Sequence, residues 1–122
     1  MAPQPKPADK QFAKELLTVA KSFLQRGWCT RALAQRANGS DCFVNDTLAV
    51  KWSLVGALQA AELELASTDA GLADQAYRLA CQALQARIDP GWHNNLLRWN
   101  DAEKRLAFDV IRLVEKTAAE DF

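Results

Sequence analysis

Histidine occurs once, at position 93, and cysteine three times, at positions 29, 42 and 81. One histidine with three scattered thiols lacks the paired spacing of a zinc site, and an odd number of cysteines in a chain long enough to bury a core does not make a disulfide framework. Reduced thiols, no bound metal and no other cofactor are the expectation. No Walker loop, GxGxxG or HExxH occurs, so the commonest phosphate, dinucleotide and metalloprotease chemistries have no motif to stand on. Glu62 and Glu64 lie two residues apart, which on a helix sends them to different faces rather than making an acid and base pair. A Cys-His nucleophile requires only that its partners meet in space, but no activating motif surrounds any cysteine. A thiol or metal enzyme therefore stands last among the readings, and the chain reads as a non-enzyme.

Long apolar runs are also missing. Nothing approaches the roughly 18 to 20 residues of a membrane span, and MAPQPKPADK lacks the apolar stretch of a secretory signal. Cytoplasmic residence is the expectation that follows.

What the chain does have is the composition of an ordinary globular protein: 122 residues, 49% hydrophobic and 25% charged, with a net charge of zero. That length suits a single domain. The balance hides an asymmetry. Met1 to Ser40 carries seven Lys or Arg against two acids, and Asp41 to Asp89 three against seven. A basic N-terminal third could steer an anionic partner, though such a face is more often only solvated.

Three of the four prolines fall in residues 1–8, which read as a flexible leader to a helical domain over residues 9–122. A first helix is expected from an N-cap at Asp9 to Arg26, with Gly27 just past its end and a stripe of Phe12, Leu16, Val19, Ala20 and Phe23. The connector from Trp28 to Asp46 is irregular. Its Asn38-Gly39 suits a two-residue type I′ turn joining Ala34–Ala37 to Ser40–Phe43, with a helical turn over Arg31–Arg36 as the competing reading. Asp46 to Ser67 shows two apolar stripes, Leu48, Trp52, Val55, Gly56 and Leu63 on one side and Val50, Leu54, Leu58, Ala61 and Leu65 on the other. That pattern reads as a central helix covered on both faces. Gly56 lowers helix propensity there, which is tolerable where a neighbouring backbone packs close.

A third helix is expected from about Asp69 until Asp89-Pro90-Gly91 stops it. A fourth is expected over Asp101–Ala119, capped by Asn100 with Glu103 three residues on, and facing inward through Leu106, Val110, Leu113, Val114 and Thr117. The expected fold class is all-α, a compact four-helix bundle with an irregular connector, able to hold a hairpin, between helices one and two.

The Gly27-Trp28-Cys29 triplet, the turn ending at Cys42, the Trp52 to Leu58 segment with its W-x-x-x-G-A-L pattern, and Trp99-Asn100-Asp101 occur in an order that resembles a family of small bacterial and actinophage-associated proteins of unknown function. The resemblance covers about Phe12 to Ala119. Ser53 departs from it, standing where that family often has cysteine. What the resemblance implies is a fold and a neighbourhood of phage or mobile-element genes; it implies no reaction and supplies no catalytic residue.

Trp28 and Trp92 lie beside glycines in connectors, and Phe108 falls on the polar side of its helix with Lys104, Arg112 and Glu115. Each reads as either a lid on the core or an interface anchor. Trp99, Asn100 and Asp101 read first as a helix start, and second as a ligand site facing Arg31 or Arg36. The leading expectation is a non-enzymatic module that binds another protein, with Trp28, Arg31, Arg36, Trp92, His93 and Phe108 as candidate binding residues. It would serve as an accessory or host-modulating factor of a phage or mobile element, and a homodimer is compatible with it. The alternative is a nucleic-acid or small-anion binder working through Arg31, Arg36 and the lysines of the first helix.

Overall fold

Helix α1 spans Pro7–Arg26 and is the element on which the others pack, touching the second, third and last helices and the third strand. The computed structural model describes residues 7–120, so most of the expected leader, residues 1–6, lies outside the described residues. The helix begins two residues before the expected Asp9, with proline in its first turn, where a missing N–H loses nothing. Its buried stripe is broader than expected and rotated: Ala13, Leu16, Leu17, Ala20 and Leu24 are buried, while Phe12, Val19 and Phe23 pack at the margin.

The connector holds a three-stranded antiparallel sheet, β1 (Ala34–Arg36), β2 (Asp41–Cys42) and β3 (Ala49–Trp52), in the order β2-β1-β3. The protein is thus mostly helical with a small sheet rather than all-α. The β1–β2 hairpin is the expected one, but its turn is different. The Gly39 N–H donates to the Arg36 carbonyl at 2.9 Å, and of the loop residues only Gly39 has positive φ, +85°. Asn38 keeps negative φ and instead accepts the Ser40 N–H and hydroxyl on its side chain. The loop is therefore three residues ending on a left-handed glycine, not a two-residue type I′ turn.

The largest correction concerns the expected central helix. Helix α2 runs only from Leu54 to Ala66, capped by Ser53, whose hydroxyl accepts the Gly56 N–H at 3.2 Å. Residues 46–52 form a turn and β3 instead. β3 pairs with β1 through Ala34–Trp52, Gln35–Lys51 and Arg36–Ala49, with Val50 as the extra residue of a bulge. Where the helix exists it is covered as expected: Leu54 and Leu58 are fully buried, and α1 and α3 both pack on it.

Helix α3 (Ala70–Gln85) starts at Asp69, whose carboxylate accepts the Leu72 N–H, and buries an alanine-rich face. A 3-10 turn over Pro90–Trp92 follows. The expected fourth helix is two: α4 (Leu96–Asn100), capped by Asn95, and α5 (Ala107–Ala119), separated by a turn in which Lys104 has φ 69°. Asn100 is the last residue of α4 rather than a cap, and the partner three residues beyond the true start is Asp109, which accepts the Leu106 N–H at 2.9 Å. The described chain has five α-helices, and Val110, Val114 and Thr117 of the last one are buried against the rest.

Candidate functional site

Three places could carry function: the Trp28–Asn100–Asp101 junction, a groove beside the sheet, and a pocket along α5.

At the junction, Asn100 is fully buried and fully bonded. Its carboxamide oxygen accepts the Trp28 indole N–H at 2.7 Å and the Leu54 N–H at 3.0 Å; its NH₂ donates to the Cys29 carbonyl at 3.2 Å and to Asp101 Oδ1 at 2.9 Å. One side chain thus ties the start of the connector, the first turn of α2 and the end of α4. Leu54 opens α2, so its N–H is one of the amides that a helix start leaves without a partner. Asp101 Oδ1 also accepts the Arg31 N–H at 3.0 Å, holding Arg31 at φ 63°, a left-handed conformation that a non-glycine residue rarely adopts. Trp28, Arg31, Asn100 and Asp101 therefore do converge, but through main-chain and buried contacts that leave no acceptor or donor of Asn100 for a ligand.

The other expected residues scatter. Arg36 lies on β1 and pairs with Asp46 at 2.6 Å; the pairing holds the Asp46 carboxyl below its usual range and raises the guanidinium. Lys21 is drawn to Glu115 at 3.8 Å. These pairings occupy two of the seven basic side chains of the N-terminal third. Trp92 packs against the core beside Arg105, and His93 ends the 3-10 turn at φ 51°, exposed. Phe108 remains 64% exposed, with Arg112 near its ring.

The groove has a volume of about 540 Å³ and runs between the C-terminal end of α1, the 44–49 turn and α2. Trp52 and Phe23 form its floor, their rings 4.9 Å apart, with the Arg26 guanidinium 4.9 Å over the Trp52 ring. The Trp52 indole N–H is held by the Val44 carbonyl at 3.0 Å, so the floor is rigid. Leu63 and Glu64 stand on the α2 wall, and Leu48 and Phe43 adjoin the turn that forms the other wall. Phe43 is 82% exposed and Leu48 62%. No periodicity marks Phe43, which lies in neither a helix nor a strand, and the stripe that includes Leu48 reads as a covered helix face rather than as an exposed turn.

Residues 9–120 match the family model of DUF6197, described as a family of unknown function. The chain belongs to that family. No curated protein and no solved structure matches it.

In this DUF6197 chain two of the three thiols, those of Cys29 and Cys81, are not set up as nucleophiles. Burial pushes the Cys29 and Cys81 thiols up to about 11, away from the thiolate form. Cys81 and His93 line one shallow groove with Tyr77, whose hydroxyl burial also raises, to about 12. That groove thus presents a neutral thiol and a neutral phenol rather than an ion pair. Among the described residues no three His, Cys, Asp or Glu side chains are grouped as metal ligands, and no helix is long and apolar enough to cross a membrane.

The thiols fix the sign of an alkaline effect. Their folded values lie above the unfolded value near 9, so as pH rises the unfolded chain loses these protons first. The stability they contribute is fully present below pH 9 and is lost as pH climbs towards 11. Urea midpoints measured from pH 7 to pH 11 are expected to fall in the upper part of that range, and less steeply in Cys81→Ala. A flat profile would show that these thiols ionise as readily folded as unfolded.

Proposed function

We propose that the protein is a non-enzymatic binding module that receives a segment of another polypeptide in the groove floored by Trp52 and Phe23. The observation that carries this reading is the half-exposed Leu63 on the groove's lining, above a floor held by the Trp52 hydrogen bond and the Arg26 stack, with Phe43 and Leu48 exposed on the residues that flank the lining segment 44–47. Large apolar side chains grouped about a concavity are costly to hydrate and are typical of protein contact sites. Arg26 on the floor and Glu64 on the wall supply charge of both signs at the edge, as a polar rim around an apolar centre does. The segment that fits is amphipathic, laying one or two apolar side chains between Leu63 and Trp52. Phe108, far from this wall in sequence, is not needed for it. Service as an accessory or host-modulating factor of a phage or mobile element is the role that the resemblance to bacterial and phage proteins adds to this proposal, and cytoplasmic residence is the setting proposed for it.

The test is site-specific photo-crosslinking in cells that make the protein. A crosslinking side chain at position 43, 48 or 63 is expected to trap one common partner, a second copy of this chain included, and Leu63→Asp is expected to abolish the product from position 43. The same label at Gln75, exposed on α3, is the control. Identical products from all four positions would overturn the groove as the contact site.

A further inference from the structure

A second site is built along α5, and it shares no residue with the apolar groove. Asp109, Arg112, Leu113, Lys116 and Glu120 recur at three- and four-residue intervals, so they share one helix face. Arg87, just past α3, and Trp99 and Arg105, from α4 and the turn after it, close a pocket of about 390 Å³ over that face. Four cations thus surround one concavity against two carboxylates, although the whole chain is neutral.

The charged groups in the pocket differ in how far they are engaged. Asp109 is committed to the Leu106 N–H. Arg87 donates through one terminal nitrogen to the Ala83 carbonyl at 2.9 Å and through the other to Glu120, while its Nε is the one buried side-chain nitrogen or oxygen among the described residues with no acceptor. The Arg105 guanidinium lies 3.9 Å from the Trp99 ring and donates through Nε to the Trp99 carbonyl at 2.9 Å. That pins the group and leaves its two terminal nitrogens without an acceptor among the described residues. Arg112 and Lys116 form no ion pair among the described residues. The cations of the pocket outnumber its carboxylates, so its net charge favours an anion, and a pinned guanidinium has already given up the freedom that binding would cost it.

We infer that this pocket binds a small phosphorylated molecule through phosphoryl groups of at least two negative charges. A single carboxylate can engage one guanidinium fork, whereas a phosphoryl dianion has the oxygens to accept from Arg105, Arg112 and Lys116 together. Glu120, mostly exposed, is the internal carboxylate that competes for Arg87. Trp99 is buried beneath Arg105, so it offers no face on which a nucleobase could stack. Recognition therefore resides in the phosphoryl groups. The basic N-terminal third, where sequence charge pointed, is not the anion site of this reading.

Calorimetric titration at low salt with inorganic pyrophosphate, orthophosphate and a nucleoside diphosphate, each without metal, tests this. Pyrophosphate is expected to bind saturably and more tightly than orthophosphate. The double variant R112Q/K116Q, changed at two exposed positions and checked for folding by circular dichroism, is expected to bind it at least about tenfold more weakly, the scale of losing charged hydrogen bonds. Glu120→Gln is expected to bind more tightly than the native chain. No saturable heat at ligand concentrations up to about 10 mM, a limit weaker than the millimolar range, or equal binding by the double variant, would overturn the site. A nucleoside diphosphate that binds more than about tenfold tighter than pyrophosphate would overturn the assignment of recognition to the phosphoryl groups.

Discussion

Asn100→Ala is expected to lower the free energy of unfolding by about 3 to 5 kcal/mol, the range for breaking a buried hydrogen-bond network. The truncation removes a carboxamide that serves four partners and leaves three of them, the Trp28 indole N–H, the Leu54 N–H and the Cys29 carbonyl, in places where water cannot easily replace it. Asp101 keeps one of its bonds, to the Arg31 N–H, and is exposed enough to be hydrated. Asn100→Asp is the sharper variant. The oxygen that accepts from Trp28 and Leu54 survives, but the donor to Cys29 is lost and a charge is placed beside Asp101 in a fully buried position. Urea unfolding of the three proteins at neutral pH measures this. A loss under about 1 kcal/mol in both variants would show that the network is loose or solvated.

The second large effect is expected at Gly56, and its sign runs against helix propensity. Alanine in an exposed helix interior is favoured over glycine by about 1 kcal/mol. At this position, however, a Cβ would stand 1.8 Å from the Leu33 carbonyl oxygen and 2.6 Å from its carbon. The obstacle is backbone, and it is fixed: the same carbonyl accepts the Ser53 N–H at 3.1 Å, and Ser53 caps the helix. Relief would require moving β1 away from α2 and breaking that bond. Gly56→Ala is therefore expected to destabilise by about 3 kcal/mol or more, overpacking outweighing the propensity gain. Thermal unfolding checks it, with Gly71→Ala on α3 as the control: a Cβ there meets only Asp69 Oδ1, at 3.7 Å. An unchanged or higher midpoint for Gly56→Ala would show that the connector does not press on α2 at this point.

Gly56 was the part of the packing most legible from sequence, because a glycine inside an apolar helical pattern calls for a close backbone neighbour. The hairpin was legible for a similar reason, since Asn38-Gly39 can turn the chain whatever surrounds it. Helices α1 and α3 followed from their period. The start of α2 did not, because Leu48, Val50, Trp52 and Leu54 alternate as a strand does while also falling on the two helical stripes; the pairing of β3 with β1, a long-range fact, decides between the periods. The same limit applies to Asn100. A polar residue followed by Asp and, three positions on, Glu looks like a helix start, and only the approach of Trp28 and Leu54, 72 and 46 residues away, turns it into a buried tie. Each candidate site was hidden for its own reason. Phe43 lies outside any period and Leu48 belongs to a stripe that reads as a covered helix face, and the cations of the α5 pocket come from three separate parts of the chain.

Whether Trp99-Asn100-Asp101 serves the fold or receives a ligand decides where binding can occur at all. Amide hydrogen exchange of the Leu54 N–H, read by NMR in the unliganded protein, separates the two most directly. As the first N–H of α2 it would exchange like a surface amide unless Asn100 holds it. Its exchange is expected to require nearly the full free energy of global unfolding, and to accelerate by orders of magnitude in Asn100→Ala relative to core amides of α1. Rapid exchange of Leu54 in the native protein, while those α1 amides remain protected, would mean that the junction opens to water on its own and that its polar groups are free to bind.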